Sequence, residues 1–477
     1  MSQPLPKLAP AASPIEAGLY EVSRTIYARA VHGWFASWRV ALVLITQAVF
    51  YGVPWLTWNG RQAVLFDLAS RKFYIFGLVF WPQDFIFLTA LLVISALSLF
   101  LFTALAGRLW CGYACPQTVY TEMFMWIERK IEGDRVQRMK LDRTALDLEK
   151  LVKKVFKHLV WIMLAAWTGF TFVGYFTPIR ELMMEFLQSR LGAWELFWIL
   201  FYGFATYGNA GWMREQVCKY MCPYARFQSV MFDSHTLVIT YDAQRGEPRG
   251  ARSRAADYQK SGLGACVDCG ICVQACPTGI DIRKGLQYEC IGCAACIDGC
   301  DQVMDKMGYA RGLIRYATEN AVKGKYGDGD IVRHVLRPRI LIYTAVLLAL
   351  VGAFIAMVYM RVPLKVDVMR DRATLTRELG DGRVENVYRL QIMNTTEEPR
   401  RFNISAEGIE GLELEAAQPV SVPAAGAITL PVALRADPAK TAAGSQRIVF
   451  HVEDVADPRI SASEKSSFFV RQNVPAR

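Results

Sequence analysis

The chain has 477 residues, 53% of them hydrophobic, with 54 Lys and Arg against 44 Asp and Glu and a net charge of +10. So apolar a composition, with a positive mean hydropathy, excludes an ordinary soluble globular protein and points first to membrane spans. The basic excess needs no nucleic acid, because basic loops beside anionic lipid account for it.

Read from the N-terminus, residues 1–37 form a leading segment and 38–211 carry four apolar runs, at 38–58, 84–106, 158–177 and 193–211. A fifth run lies at 339–360. Each is about 20 residues long, the length a helix needs to cross a hydrocarbon core. Gly and Thr dilute the third and fourth. Trp34, Trp38, Trp55, Trp58 and Trp194 cluster at span ends as an interfacial belt requires. The first run is too long for a signal h-region, and no small-residue cleavage pattern follows it. Residues 107–157 carry eleven Lys or Arg, whereas the loops at 59–83 and 178–192 carry three and two. The positive-inside rule therefore predicts a cytoplasmic N-terminus, a cytoplasmic 107–157 and 212–338, and an exported tail at 361–477.

All twelve cysteines fall between 111 and 300, on the predicted cytoplasmic side, and the exported tail has none. Reduced, metal-bound or redox-active thiols are expected there, not a disulfide framework. The first pair, Cys111 and Cys115, opens CGYACP just after the second span, and the second, Cys218 and Cys222, opens CKYMCP just after the fourth. Both read C-x3-C-P (111–116 and 218–223), and the flanking sequences align as an internal duplication of span, thiol pair, proline and short helix. Proline suits the first helical position, so Cys115 and Cys222 are predicted N-caps of helices starting at Pro116 and Pro223. That position, with Arg108, Lys219 and Arg226 nearby, is expected to lower thiol pKa. In the first copy Val119, Met123, Trp126 and Ile127 form an apolar stripe, read as a helix lying on the membrane surface. The spacing leaves a dithiol, a soft cation and a cluster ligand open.

Two denser motifs follow, within about 255–310. CVDCGICVQACP supplies Cys266, Cys269, Cys272 and Cys276, and CIGCAACIDGC supplies Cys290, Cys293, Cys296 and Cys300. Both follow C-x2-C-x2-C-x3-C, the run with which two-cluster ferredoxins bind [4Fe–4S] centres. Three thiolates on one tight loop cap three irons, and the fourth reaches across to the other cluster. The predicted sets are thus Cys266, Cys269, Cys272 and Cys300 for one cluster, and Cys290, Cys293, Cys296 and Cys276 for the second. Gly270, Gly292, Ala294 and Ala295 leave room for the backbone around the sulfurs. Structural zinc also uses Cys-x2-Cys pairs, but rarely four cysteines in so compressed a run. The second motif departs from the pattern in ending Cys300-Asp301 where proline is usual.

Beyond the fifth span, VYRLQIMN, RFNISAE, ITLPVALRA and QRIVFHVED alternate between turn-rich breaks, an all-β sandwich signature. His451 and Met393 are its prominent soft-ligand candidates and are read as packing residues. The other histidines (His32, His158, His235 and His334) are scattered, and Met183-Met184 is read as part of a hydrophobic loop helix. There is no C-x-x-C-H haem site, Walker loop or Gly-rich dinucleotide fingerprint.

Together, CGYACPQTVYTEM, CKYMCPYARFQS, CVDCGICVQACPTGIDIRKGLQYECIGCAACID and the five spans closely resemble the CcoG/FixG/RdxA family of cytochrome oxidase accessory proteins. The resemblance implies a polytopic α-helical protein of the bacterial inner membrane, with a cytoplasmic 2[4Fe–4S] ferredoxin domain and a periplasmic immunoglobulin-like β-sandwich. It implies a role in assembling the cbb(3)-type haem–copper oxidase as a cupric reductase, with copper as substrate. The implied partners are membrane lipid, the oxidase assembly machinery, copper transporters or chaperones, and an electron donor the sequence does not name. Thiolates prefer Cu(I), so reduction of Cu(II) at Cys111/Cys115 and Cys218/Cys222, fed by the clusters, is the expected chemistry. A quinol dehydrogenase passing electrons to a periplasmic partner, and a redox-sensing scaffold without catalysis, are the rival readings.

Overall fold

A computed structural model describes residues 26–471, apart from 255, 258, 259, 328, 329, 331, 332, 334, 372–375, 417, 418, 438 and 439. His334 and most of the leading segment therefore lie outside the described residues. The chain divides into two compact units. One gathers 1–43, 103–161 and 208–335; the other gathers 44–102, 162–207 and 336–477. The chain passes from unit to unit five times, each time within or beside one of the five apolar runs.

Among the described residues, four helices are long and apolar enough to cross a membrane: Trp34–Trp55, Pro82–Ala106, Leu148–Val173 and Pro338–Tyr359. Three of them keep their apolar side chains outward, as at Ile86, Leu92 and Leu348, whereas Leu148–Val173 turns Trp161, Phe170 and Val173 inward. A helix clad in exposed leucine and isoleucine is stable only in lipid or against a partner. The fourth predicted run differs. It folds as an α-helix, Ala193–Thr206, continued by a π-helical stretch, Tyr207–Met213. At about 1.5 Å per residue its α-helical part falls short of a bilayer core.

In the second unit the tail forms two antiparallel sheets. The long strands Val384–Asn394 and Ala427–Ala436 anchor one sheet, and Arg400–Glu407, Gly444–Asp454 and Ser461–Val470 the other. Alternate residues point inward, so Tyr388, Leu390, Ile392, Val432, Phe450 and Phe468 are fully buried. Tyr388 keeps its hydroxyl satisfied by donating to the Ser467 carbonyl at 2.9 Å. Residues 57–80, a loop in the sequence reading, instead fold as five short strands in a two-stranded and a three-stranded sheet. This hairpin region is pinned to the sandwich: Arg61 pairs with Glu397, Lys72 donates to the Ala425 carbonyl at 2.8 Å, and Asp84 is held by Arg361 and Lys365.

In the first unit the stripe read from the sequence on the helix Pro116–Glu132 packs partly inward. Val119 and Ile127 are buried, but Trp126 is exposed, and Phe124 turns inward against Trp161 at a ring distance of 5.2 Å. The same face buries charge. Glu128 meets Arg138 at 2.6 Å and Arg214 at 3.0 Å, and Glu132 meets Lys157 at 2.9 Å. Low-dielectric burial is tolerated here because every carboxylate has cationic partners.

Candidate iron–sulfur and thiol site

Glycine and alanine in left-handed conformations shape the cysteine loops. Gly270 (φ 65°) precedes the helix Ile271–Ala275, and Ala294 (φ 59°), fully buried, precedes Ala295–Met307. These turns fold each loop back over a hollow. The first hollow is lined by Cys266, Cys269, Cys272 and Cys300, with Tyr241 and Arg283 at its wall. The second is lined by Cys276, Cys290, Cys293 and Cys296, with Cys272 also at its edge. Each hollow thus takes its fourth cysteine from the other motif.

The chemistry of these donors fits a four-iron cluster in each hollow. Four cysteines drawn from both motifs surround each hollow, the donor set a cubane takes. A cubane spreads its thiolates around a wider core. Burial also pushes Cys290 and Cys300 up to about 12 and Cys272 to about 11, with neighbouring thiols adding to the rise for Cys290 and Cys300. So many buried sulfurs give up their protons only to a bound cation.

Cys111, Cys115, Cys218 and Cys222 form a third group. Cys115 (φ −62°, ψ 128°) and Cys222 (φ −78°, ψ 109°) are both extended N-cap residues of helices that begin at Pro116 and Pro223. The two repeats come together, and the four thiols lie within electrostatic reach of one another. For Cys111, Cys115 and Cys218 the acidity runs opposite to the sequence expectation. Burial pushes Cys111 up to about 12 and Cys218 up to about 11, with Arg108 opposing both. Cys115 is also raised by burial, although the amides of Gln117 and Thr118 pull it down. Desolvation outweighs the helix terminus here.

This quartet abuts the second hollow. Cys111 and Cys218 pack against a buried apolar group containing Ile291 and Cys293. Gly112 approaches the Gly292–Cys293 backbone closely, and Tyr316 donates to the Gly292 carbonyl at 2.7 Å. Arg108 is 4% exposed and donates to the Ala225 carbonyl, tying the first repeat to the second.

Residues the sequence reading missed lie in the same region. Asp298, between Cys296 and Cys300, accepts from the amides of Phe35 (3.3 Å) and Ala36 (2.7 Å) and caps the first apolar helix. Arg39, on that helix, faces Cys293, where it opposes the rise that burial gives this thiol. Neither is legible without knowing that residues 33–39 reach the cluster loops. Among the described residues no histidine lines either hollow: His158 stacks on Trp212, His235 contacts Asn320, and His451 contacts Ser463. Met393 is fully buried in the sandwich, and Met183 and Met184 lie in the helix Ile179–Leu187.

Apolar helices, cysteine-ringed hollows and a C-terminal β-sandwich define a membrane-bound iron–sulfur redox protein. Residues 213–319 match the family model of a 4Fe-4S dicluster domain, 88–133 that of a 4Fe-4S binding domain, and 354–471 that of the immunoglobulin-like fold at the C-terminus of FixG. The chain is 39% identical over 439 residues to the nitrogen fixation protein FixG of Rhizobium meliloti, covering 85% of this chain and 83% of that one. It is 39% identical to RdxB of Cereibacter sphaeroides (92% and 94% covered) and 39% identical to RdxA of the same organism (86% and 88%). The chain belongs to the FixG/RdxA/RdxB family.

Proposed function

We propose that this protein is a reductase of the bacterial inner membrane that hands single electrons to Cu(II) during assembly of a cbb(3)-type haem–copper oxidase. The observation that carries this reading is the packing of Cys111 and Cys218 against the buried group that contains Ile291 and Cys293 of the second hollow. In this reading Cys266, Cys269, Cys272 and Cys300 hold one [4Fe–4S] cluster, and Cys276, Cys290, Cys293 and Cys296 hold the other. When bound, such clusters supply one-electron transfer.

The remaining work belongs to the chain's own residues. Apolar walls at Ile280, Ile282 and Ile291 keep water from the second hollow. The quartet of Cys111, Cys115, Cys218 and Cys222 is the exit through which electrons reach Cu(II), the substrate. A sulfur-rich exit suits that acceptor because soft donors favour the cuprous state. Basic residues of 107–157 keep that loop and the cysteine motifs in the cytoplasm, and the sandwich is exported, where it meets the oxidase assembly machinery.

The test is Cu(II) reduction by anaerobically purified full-length protein, supplied with a chemical reductant, before and after Cys111→Ser and Cys218→Ser. The expected outcome is loss of most of the rate with both ferredoxin clusters retained. An undiminished rate would remove the quartet from the pathway.

A further inference from the structure

We infer that Arg39 and Arg108, with the hydroxyl of Thr278, set the potential of the cluster in the second hollow and hold it up against burial. The inference rests on the reading of this chain as an iron–sulfur reductase, and it gives these three residues a positioning role toward the inner cluster.

Burial poses the problem they answer. Cys269, at the first hollow, is the exposed one of the eight cluster cysteines, whereas Cys293 and Ile291 of the second hollow are each 6% exposed. Accepting an electron adds a negative charge, which a dry site resists more than a wet one. Burial alone would therefore make the second cluster the harder to reduce. An electron at the first hollow would then stop there, short of Cys111 and Cys218.

The cations beside the two hollows differ in a way that corrects this. Arg283, at the wall of the first, is already matched by Asp281 at 2.8 Å and Asp268 at 2.5 Å. Arg39 is not. It meets Glu122 only at 3.8 Å, its side chain is 12% exposed, and its Nε has no hydrogen-bond partner among the described residues. Asp298 fixes the start of its helix through the amides of Phe35 and Ala36. Arg39 thereby lines one cleft with Ala275, Pro277 and Ala295, and another with Thr278 and Ile291. Arg108 is 4% exposed, and its Nε is likewise unpartnered among the described residues. It packs on the second loop: a Cβ at Gly292, between Cys290 and Cys293, would lie 3.6 Å from the Arg108 Cβ. Thr278, 3% exposed, brings its Oγ1 to 3.3 Å from the Cys276 sulfur, and toward a thiolate the hydroxyl is the donor. Buried cations left unmatched are costly, and a cluster held by four thiolates is the anion that matches them. Cations and sulfur-directed hydrogen bonds both favour the more negative, reduced state, so they raise the potential.

Reductive titration of anaerobically purified full-length protein, without copper and followed by low-temperature electron paramagnetic resonance, reads both potentials. Arg39→Gln should lower one of them. At the wild-type midpoint of that cluster the ratio of reduced to oxidised centres should fall about tenfold, a shift of about 59 mV for one electron. Arg39→Lys, which keeps the charge, should restore most of it. Glu122→Gln removes an opposing carboxylate and should raise the same potential, a direction that a damaged fold would not produce. Thr278→Val should lower that potential too, and Arg283→Gln should act on the other. In the wild type the potential that Arg39→Gln lowers should lie at or above its neighbour. An unmoved potential in Arg39→Gln, or a downward shift in Glu122→Gln, would overturn the assignment while copper reduction by the thiol pairs stands. Where Arg39→Gln sheds its cluster, Glu122→Gln decides alone, and a potential unmoved or lowered there overturns it. Protein without iron would overturn both the assignment and the reading beneath it.

Discussion

Gly112 and Gly292 meet backbone to backbone: a Cβ at Gly112 would lie 2.8 Å from the carbonyl carbon and oxygen of Gly292, and 2.9 Å from the Cα of Cys293. Gly292 in turn has φ +69°, and a Cβ there would meet the Arg108 carbonyl oxygen at 3.0 Å. The first thiol pair and the loop of the second hollow therefore touch with no side chain between them. Gly112→Ala should force these backbones apart, at a cost of about 1–3 kcal/mol, the usual range for overpacking a filled interior. Iron content and thermal unfolding in detergent report it. Gly208→Ala, where a Cβ meets nothing within 4 Å, is the control and should change neither. Equal behaviour of the two variants would show that the contact is not tight.

Asp298 reaches across 262 positions to the amide of Ala36. An acidic side chain at a helix N-terminus satisfies orphan amides and meets the positive end of the dipole. Asp298→Ala should lower stability by about 1 kcal/mol, and up to roughly 2, with Asp298→Asn costing less because the acceptor survives. Unfolding midpoints in detergent measure the difference. An alanine variant as stable as the parent would mean water replaces the cap.

The buried carboxylate of Glu128 gives a pH signature. Burial pushes it up, but Arg214, Arg138 and Lys157 together outweigh burial and hold it below the usual carboxylate range. A depressed folded pKa contributes stability above the unfolded value, about 4.3, and that stability is lost as pH falls through the folded value. Acid unfolding of the first unit should therefore steepen below about pH 4, and Glu128→Gln should flatten that limb. At neutral pH the same substitution leaves clustered cations short of a partner, costing about 3–5 kcal/mol as breaking a buried pair does. An unchanged acid limb would place the titration elsewhere.

What was legible in the sequence follows from which forces act locally. Proline after cysteine fixed the starts of both helices, because ring geometry restricts the residues on either side whatever the tertiary context. The strands of the tail were readable because inward residues alternate on a half-buried sheet. The hairpins at 57–80 were not. Their strands are two to four residues long, too short for alternation to register, and they are held partly by the sandwich through Glu397. The π-helical stretch at Tyr207–Met213 was equally hidden, since its hydrogen bonds shift without any change in apolar composition. Thiol acidity was misjudged for a related reason. A helix terminus can be read from Pro116, but the burial that overrides it depends on Ile291 and Cys293, far away in the chain.

The crossing of cysteines between motifs makes the sharpest test of the ferredoxin sites. Cys276 belongs to the first motif by sequence yet lines the hollow of Cys290, Cys293 and Cys296, and Cys300 belongs to the second yet lines that of Cys266, Cys269 and Cys272. Alanine removes a thiolate and offers no oxygen in its place, so each variant should lose the centre whose hollow it lines, not the one its motif suggests. Electron paramagnetic resonance of dithionite-reduced protein should then give Cys276→Ala the spectrum of Cys290→Ala, and Cys300→Ala that of Cys266→Ala. The spin-coupled features of two adjacent clusters should vanish in all four. Pairing by motif instead, with Cys276→Ala matching Cys266→Ala, would contradict the lining of both hollows at once, because exchanging either cysteine alone leaves one hollow with five donors and the other with three.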